Sequence, residues 1–113
     1  MENSRDRTMK MVRIPLPRKK IAAFCQRWRI REFSLFGSVL QAGFRPDSDI
    51  DVIVDFEPGT IHTILDLATM TEELETIFGR RVDLMTLPSI ERSRNYLRRK
   101  EILSTREPVY VTG

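Results

Sequence analysis

Cysteine is nearly absent from this 113-residue chain, which contains only Cys25. A single cysteine cannot form an intramolecular disulfide, as is usual for proteins of a reducing compartment. No apolar run approaches the ~20 residues that cross a bilayer. The N-terminus also lacks the apolar core and small-residue cleavage site of a secretory signal. We therefore expect a cytoplasmic protein that does not contact a membrane.

Aromatic residues are also few: six Phe, two Tyr and one Trp. This composition offers no stacking platform for single-stranded RNA, so we expect no direct nucleic-acid binding. The net charge is +3, but the two signs are segregated, with basic residues towards both ends and acidic residues in the middle. This asymmetry predicts an anionic metal pocket with a rim that favours phosphate. The central acidic residues are Asp47, Asp49, Asp51, Asp55 and Glu57.

The length and a hydrophobic fraction of 41% predict one core, in a single domain over residues 14–113. Residues 1–13 are basic and lack periodicity, and we expect them to form a flexible N-terminal segment. Pro17 suits the first turn of a helix. The apolar stripe that follows it predicts an amphipathic helix in which Cys25 is a buried structural thiol. The stripe consists of Ile21, Phe24, Cys25 and Trp28.

Three strands and two longer helices are predicted after this first helix. We expect strands over 32–36, 49–56 and 81–86, and a brief helix at 38–41 followed by a turn that includes Pro46 and Asp47. A helix over 62–78 should end at Gly79 in a left-handed cap. A last helix over 89–104 precedes an extended piece at 108–111. The order predicts an α/β fold (α+β) with helices against a small sheet. The predicted core face of the 62–78 helix comprises Ile64, Leu67, Ala68, Thr71, Leu74 and Phe78.

The strongest chemical signal is Gly37-Ser38 followed, after ten residues, by Asp49-Ile50-Asp51. Asp49 and Asp51 are two apart on a strand, so both carboxylates leave the same face with Cα atoms ~6.6 Å apart. Such a pair suits two Mg²⁺ ions that bridge substrate phosphates. Asp83, on the neighbouring strand, would complete the metal site or accept a proton. Each element alone is typical of a turn or a solvent-facing strand, but their combination favours a functional site.

The Gly37-Ser38 pair supplies the complementary part of this site. Glycine at a strand-to-helix turn lets the backbone approach a phosphate without a Cβ in the way. The free N–H groups of the following turn favour an anion, and the Ser38 hydroxyl adds one more donor.

Two segments resemble the minimal nucleotidyltransferase (MNT) family, the smallest branch of the DNA polymerase β-like superfamily. They are Phe36-Gly37-Ser38-Val39-Leu40 and residues 45–54, Arg-Pro-Asp-Ser-Asp-Ile-Asp-Val-Ile-Val. The similarity also includes residues 14–28, the strand entry at 79–84 and residues 93–111. It implies a small mixed sheet flanked by helices, the polymerase β-like nucleotidyltransferase fold.

The resemblance further implies an antitoxin that transfers AMP from ATP to a tyrosine of a cognate HEPN-type ribonuclease toxin and forms a hetero-oligomer with it. Asp49, Asp51 and Asp83 would then be catalytic and would bind two Mg²⁺, and Gly37 and Ser38 would bind the nucleotide. Gln41 stands where many members have arginine, which favours the alternative of a dormant antitoxin that neutralises by binding alone. The intact Asp49, Asp51 and Asp83 argue against this alternative. A small-molecule acceptor is disfavoured, because the chain has no second domain to hold one.

The basic segment near the C-terminus offers further candidates for contact with ATP phosphates or an acidic partner. In the predicted last helix, Leu97 and Ile102 should pack inward. Tyr96 of this helix and Tyr110 of the extended piece after it should take core or edge positions. His62 should cap a helix or lie on the surface rather than bind a metal. The basic candidates are Arg92, Arg94, Arg98, Arg99 and Lys100.

Overall fold

The computed structural model describes residues 14–40 and 48–112, without the side chain of Ser38. The segment predicted to be flexible at 1–13, the residues Gln41 and Ala42, and most of the predicted turn at 43–48 lie outside the described residues. Within the described ranges, no helix is long and apolar enough to cross a membrane.

Helices and strands alternate along most of the chain. The elements are α1 (Arg18–Trp28), β1 (Ile30–Phe36), a 3-10 turn (Gly37–Leu40), β2 (Ile50–Phe56), α2 (Ile64–Phe78), β3 (Val82–Thr86), α3 (Leu87–Glu91), α4 (Tyr96–Thr105) and β4 (Glu107–Val111). The three predicted strands, the brief helix and the extended C-terminal piece are therefore confirmed, with boundaries shifted by one or two residues.

The four strands form one mixed sheet in the order β3-β2-β1-β4. β2 pairs antiparallel with β1 and parallel with β3, while β1 pairs antiparallel with β4. The interior position of β2 explains its composition, because a strand covered on both faces is apolar at nearly every position. Its residues Ile50, Val52, Ile53 and Val54 are at most 1% exposed.

Helices cover both faces of this sheet, as the predicted fold class requires. On one face, the Phe24 ring of α1 meets the Phe33 ring of β1 edge-on at 6.2 Å. Trp28 Nε1 donates a hydrogen bond to Glu73 Oε1 at 2.9 Å, which joins α1 to α2. On the other face, Ile102 of α4 lies in the core together with α3. The sheet is thus the middle layer of three.

The apolar stripe predicted for α1 is confirmed. Ile21, Phe24 and Cys25 are buried and Trp28 is partly buried. Burial raises the pKa of the Cys25 thiol to about 12, since the thiolate would lose its hydration. A thiol held neutral in this way is structural, as expected.

The core face predicted for α2 is confirmed in part and wrong at two positions. Leu74 is buried, and Leu67 and Phe78 pack partly buried against the core. Ile64 is 84% exposed and Ala68 is also exposed, whereas Met70, which was not predicted to face the core, is buried. At the far end, Gly79 adopts φ +72° and its N–H donates to Glu75 O, which confirms the left-handed cap.

His62 is packed rather than capping or at the surface, which corrects its predicted role. Its side chain is 12% exposed, and its ring lies 4.3 Å from the Phe56 ring and 5.7 Å from the Trp28 ring. Thr63 caps α2 instead: its hydroxyl accepts from the Asp66 N–H, and the Asp66 carboxylate accepts from the Thr63 N–H.

The predicted C-terminal helix over 89–104 is in fact two helices. Thr86 caps α3 by accepting from Ser89 N–H, and Asn95 begins α4 by accepting from Arg98 N–H. A second side-chain cap at Asn95 competes with continuous helical hydrogen bonds, so the chain turns between α3 and α4. Ile102 is buried as predicted, but Leu97 is 75% exposed and the prediction that it packs inward is wrong.

The two predicted edge or core tyrosines differ in their burial. Tyr96 is 57% exposed at the start of α4 and lies under the Arg99 guanidinium, 5.4 Å from the ring centroid. It is therefore a surface residue, contrary to the expectation of packing. Tyr110 of β4 is partly buried against the core, in register with Phe33.

The burial pattern of α2 predicts different stability losses for two Leu→Ala substitutions on this helix. Leu74→Ala should lower the free energy of unfolding by about 2–5 kcal/mol, because Leu74 is fully buried. Leu65→Ala should change it by less than about 0.5 kcal/mol, because Leu65 is 78% exposed. Urea denaturation at 25 °C measures both values. Equal losses for the two variants would contradict this orientation of α2.

Candidate active site

The strand register places two of the predicted carboxylates side by side. β2 lies between β1 and β3, so Asp51 is in register with Phe36 on one side and with Asp83 on the other. Neighbouring strands lie ~4.8 Å apart, so the two backbones bring Asp51 and Asp83 within reach of a common ligand. The structure thus brings together Asp51 and Asp83, which the sequence separates by more than thirty residues.

Gly37 is required at its position by the close approach of Asp51. Its φ of +78° belongs to the left-handed region that disfavours side chains. A Cβ built there would lie only 2.5 Å from Asp51 Oδ2, closer than such atoms approach in proteins. The sequence predicted that this glycine admits a phosphate. What the structure shows is that its missing side chain leaves room for the Asp51 carboxylate.

Ser38 follows Gly37 in a 3-10 turn of four residues. The predicted contact of Ser38 with phosphate stays a prediction, since its side chain is outside the described part of the structure. The backbone of this turn borders the same carboxylate as Gly37.

The environment of Asp51 disfavours its charged form. Burial, together with the smaller effects of the negative charges of Asp83 and Asp49, raises the pKa of this carboxyl to about 6. The Arg98 guanidinium acts in the opposite direction and lowers the pKa. All three predicted carboxylates are thus close enough to interact electrostatically, and Asp51 is the most buried of them.

Asp49 and Asp83 lie closer to solvent than Asp51. The Asp49 side chain is half exposed, and its Oδ1 is 3.9 Å from Arg81 Nε. In the part of the chain that the structure describes, no three carboxylate, imidazole or thiol groups converge as a complete set of metal ligands. The chemistry of the cluster nevertheless fits Mg²⁺, which prefers carboxylate oxygens, because a cation would offset the repulsion that raises the pKa of Asp51.

A cavity of about 370 Å³ opens beside these groups. One wall is the strand-to-turn corner with Gly37 and Asp51, and the opposite wall is one face of α4. A volume in this range is typical of small-molecule sites. The lining residues are Phe36, Gly37, Leu40, Asp51, Arg98, Glu101, Ile102 and Thr105.

The sequence pattern did not indicate that α4 forms one wall of the cavity. Its four lining residues follow the spacing i, i+3, i+4, i+7 of one helical face, starting from Arg98. The spacing was visible in the sequence, but the predicted longer helix obscured where this face begins. Arg98 was one of five basic candidates, and the structure brings it to the cavity. Arg92, Arg94 and Lys100 are exposed and do not line it.

The raised pKa of Asp51 makes a prediction about stability and pH in metal-free buffer. A carboxyl whose pKa rises from 3.8 to about 6 on folding destabilises the fold above pH 6, and this cost disappears below about pH 4. Asp51→Asn should therefore raise the free energy of unfolding at pH 8 by about 1–2 kcal/mol, a value discounted for partial solvent screening. Chemical denaturation at pH 8 and pH 4 measures the change.

Asp66→Asn is the control of opposite sign for this measurement. The hydrogen bond from the Thr63 N–H lowers the pKa of the Asp66 carboxyl, so its stabilisation is present at neutral pH and is lost as pH falls through the folded-state pKa. This variant should be less stable than wild type at pH 8 and should match it in acid. A metal-free Asp51→Asn protein that is less stable than wild type at pH 8 would refute the assignment.

Comparison with known proteins identifies the family of this chain. The nucleotidyltransferase domain family matches residues 17–108. A protein adenylyltransferase, MntA, from Thermococcus cleftensis is 38% identical over 66 residues, which cover 58% of this chain and 65% of that protein. The alignment thus spans a little under two thirds of that relative.

Solved structures share the fold. A chain of a toxin–antitoxin complex with AMP-PNP superposes with a TM-score of 0.66 at 20% identity, over 86% of this chain and 75% of the other. A chain of the complex between tri-AMPylated HEPN toxin and MNT antitoxin from Shewanella oneidensis gives 0.57 at 18% identity, over 84% and 70%. At these identities the superpositions show the fold alone. The family match over most of the chain, with the carboxylates of β2 and β3 beside a strand-to-turn glycine, shows that this chain belongs to the nucleotidyltransferase domain family.

Proposed function

We propose that the chain is an antitoxin-type protein adenylyltransferase that moves AMP from ATP to a tyrosine of a cognate HEPN-type toxin. The observation that carries the proposal is that Asp51 lines one cavity together with Gly37 and is in register with Asp83 on the neighbouring strand. Two features of the relatives support it: one is named a protein adenylyltransferase, and one complex contains an AMPylated toxin.

The proposed reaction is an in-line displacement at the α-phosphorus of ATP. A bond forms between the tyrosine oxygen and the α-phosphorus, and the bond from that phosphorus to the bridging oxygen of the β-phosphate breaks. Pyrophosphate leaves with the electron pair. The hydroxyl proton passes to Asp83, which is exposed and can release it to water. Positioning and charge neutralisation supply most of the catalysis in such transfers.

Each site residue has a role in this reaction. Asp49 and Asp51 would hold Mg²⁺, and Asp83 would serve as a further ligand or as the base. The metal, when bound, neutralises phosphate charge and polarises the reacting phosphorus. Gly37 leaves room for the Asp51 carboxylate and lets the backbone of the turn approach the triphosphate. Ser38 would add a hydroxyl donor to the phosphates.

The proposal predicts a covalent product on the partner protein. The product of a neighbouring gene for a short helical protein should gain one or more AMP units when it is incubated with this chain, ATP and Mg²⁺. Intact-mass spectrometry detects the gain, and fragment spectra assign it to a tyrosine. Asp49→Asn combined with Asp51→Asn should slow transfer by at least about 100-fold, because the metal-binding charges are lost.

Asp66→Asn serves as the matched control, because it removes one carboxylate from the α2 cap and leaves the cavity intact. This variant should keep the transfer rate of the wild type. If the toxin gains no mass but is bound and silenced, the chain is instead a neutralising antitoxin with a dormant nucleotide site. Full transfer by the double Asp variant would overturn the metal assignment.

A further inference from the structure

We propose that Arg98 binds the triphosphate of the nucleotide from the wall of the cavity opposite Asp51. This inference rests on the proposed function, because it assigns a residue to the same nucleotide site. The carboxylates of the candidate site lie on strands, whereas Arg98 lies on α4, which forms the wall of the cavity that faces β1 and β2. The site would then be assembled from two opposing walls.

The position of Arg98 relative to the carboxylates supports this role. Arg98 lines the cavity together with Gly37 and Asp51. Among the described lining residues it is the only basic one, and the others include the two carboxylates of Asp51 and Glu101. A ligand between these walls would therefore meet one fixed cation.

The guanidinium of Arg98 is available for a ligand. Within the described ranges, no carboxylate lies within ion-pair distance of the guanidinium and no hydrogen bond is made by it. The hydrogen bond to Asn95 Oδ1, at 3.1 Å, comes from the backbone N–H of Arg98. The neighbouring Arg99 is different: its Nη1 donates to Ser93 O and its guanidinium lies over the Tyr96 ring. The Asn95 cap thus fixes the backbone of Arg98, while its side-chain donors stay free.

Phosphate is the ligand chemistry that fits these free donors. A guanidinium presents a planar fork of N–H donors that matches two phosphate oxygens. The carboxylates of Asp51 and Glu101 would repel a triphosphate, so the cavity needs positive charge on its second wall. Mg²⁺ at the Asp side would neutralise part of the phosphate charge, and Arg98 would neutralise more from α4. The base and ribose of the nucleotide carry no charge, so Arg98 should contribute little to their binding.

The test is a binding measurement that does not require transfer. Calorimetric titration of the whole chain with AMP-PNP in Mg²⁺ buffer gives the dissociation constant. Arg98→Gln should raise it by about 10- to 100-fold, as expected for loss of a charge-assisted fork to phosphate. Arg98→Lys should fall between this variant and wild type, since it keeps the charge but loses the fork. Adenosine, which has no phosphate, should bind Arg98→Gln and wild type alike.

Arg94→Gln is the matched control, with the same substitution and the same loss of charge at an exposed position that does not line the cavity. It should bind AMP-PNP as wild type does, which excludes a long-range effect of net charge. Thermal melting of each variant checks that the fold is intact. The inference is overturned if Arg98→Gln and wild type bind AMP-PNP with equal affinity. It is also overturned if Arg94→Gln loses as much affinity for AMP-PNP as Arg98→Gln does.

The two proposals fail in different ways. If the wild-type chain binds AMP-PNP in an Arg98-dependent manner but transfers no AMP, the assignment of Arg98 stands and the transferase proposal fails. If transfer occurs and Arg98→Gln leaves nucleotide affinity and transfer rate unchanged, the transferase stands and the role of Arg98 is refuted. Absence of any AMP-PNP binding by the wild type refutes the role of Arg98.

Discussion

The register of β2 between an antiparallel and a parallel neighbour is the constraint on which the candidate site depends. It sets Asp51 beside Asp83 on one side and beside the end of β1 on the other. Because side chains alternate along a strand, a slip of one residue would turn Asp51 towards the opposite face. The apolar residues of β2, which are buried on both faces, oppose any such slip. Core packing therefore positions the carboxylate.

The position of the Asp51 carboxylate lowers the stability of the fold, and the apolar core must offset this loss. Asp51 is partly buried and close to two other carboxylates, so the isolated fold disfavours its charged form. Gly37 contributes a second constraint, because any larger residue would meet the carboxylate. Burial and like charge at one corner are typical of functional sites, where a ligand of opposite charge offsets the repulsion. The rest of the sheet, with its dense apolar core, holds this corner in place.

The helices after β3 determine the other half of the cavity. Thr86 and Asn95 each start a short helix, and the turn between the two helices redirects the chain so that α4 lies against the strand-to-turn corner. β4 then returns to pair with β1 at the edge of the sheet. Ile102 anchors α4 in the core, and the residues one turn on either side of it line the cavity. One helical face thus serves both packing and the candidate site.

Much of this protein was already determined by the sequence. The strands, the helix after Pro17, the cap at Gly79 and the Gly-Ser to Asp-x-Asp constellation all follow from local periodicity and backbone preference. Tertiary structure decided what depends on contacts distant in sequence. Ile64 and Leu97 fit apolar helical faces yet lie exposed, because periodicity cannot say where a helix leaves the core. Pairing of β2 with β3 placed Asp83 beside Asp51. The position of α4 across the cavity from the end of β1 placed Arg98 opposite Asp51. The sequence could not show this, since only the folded chain sets distances between separate elements.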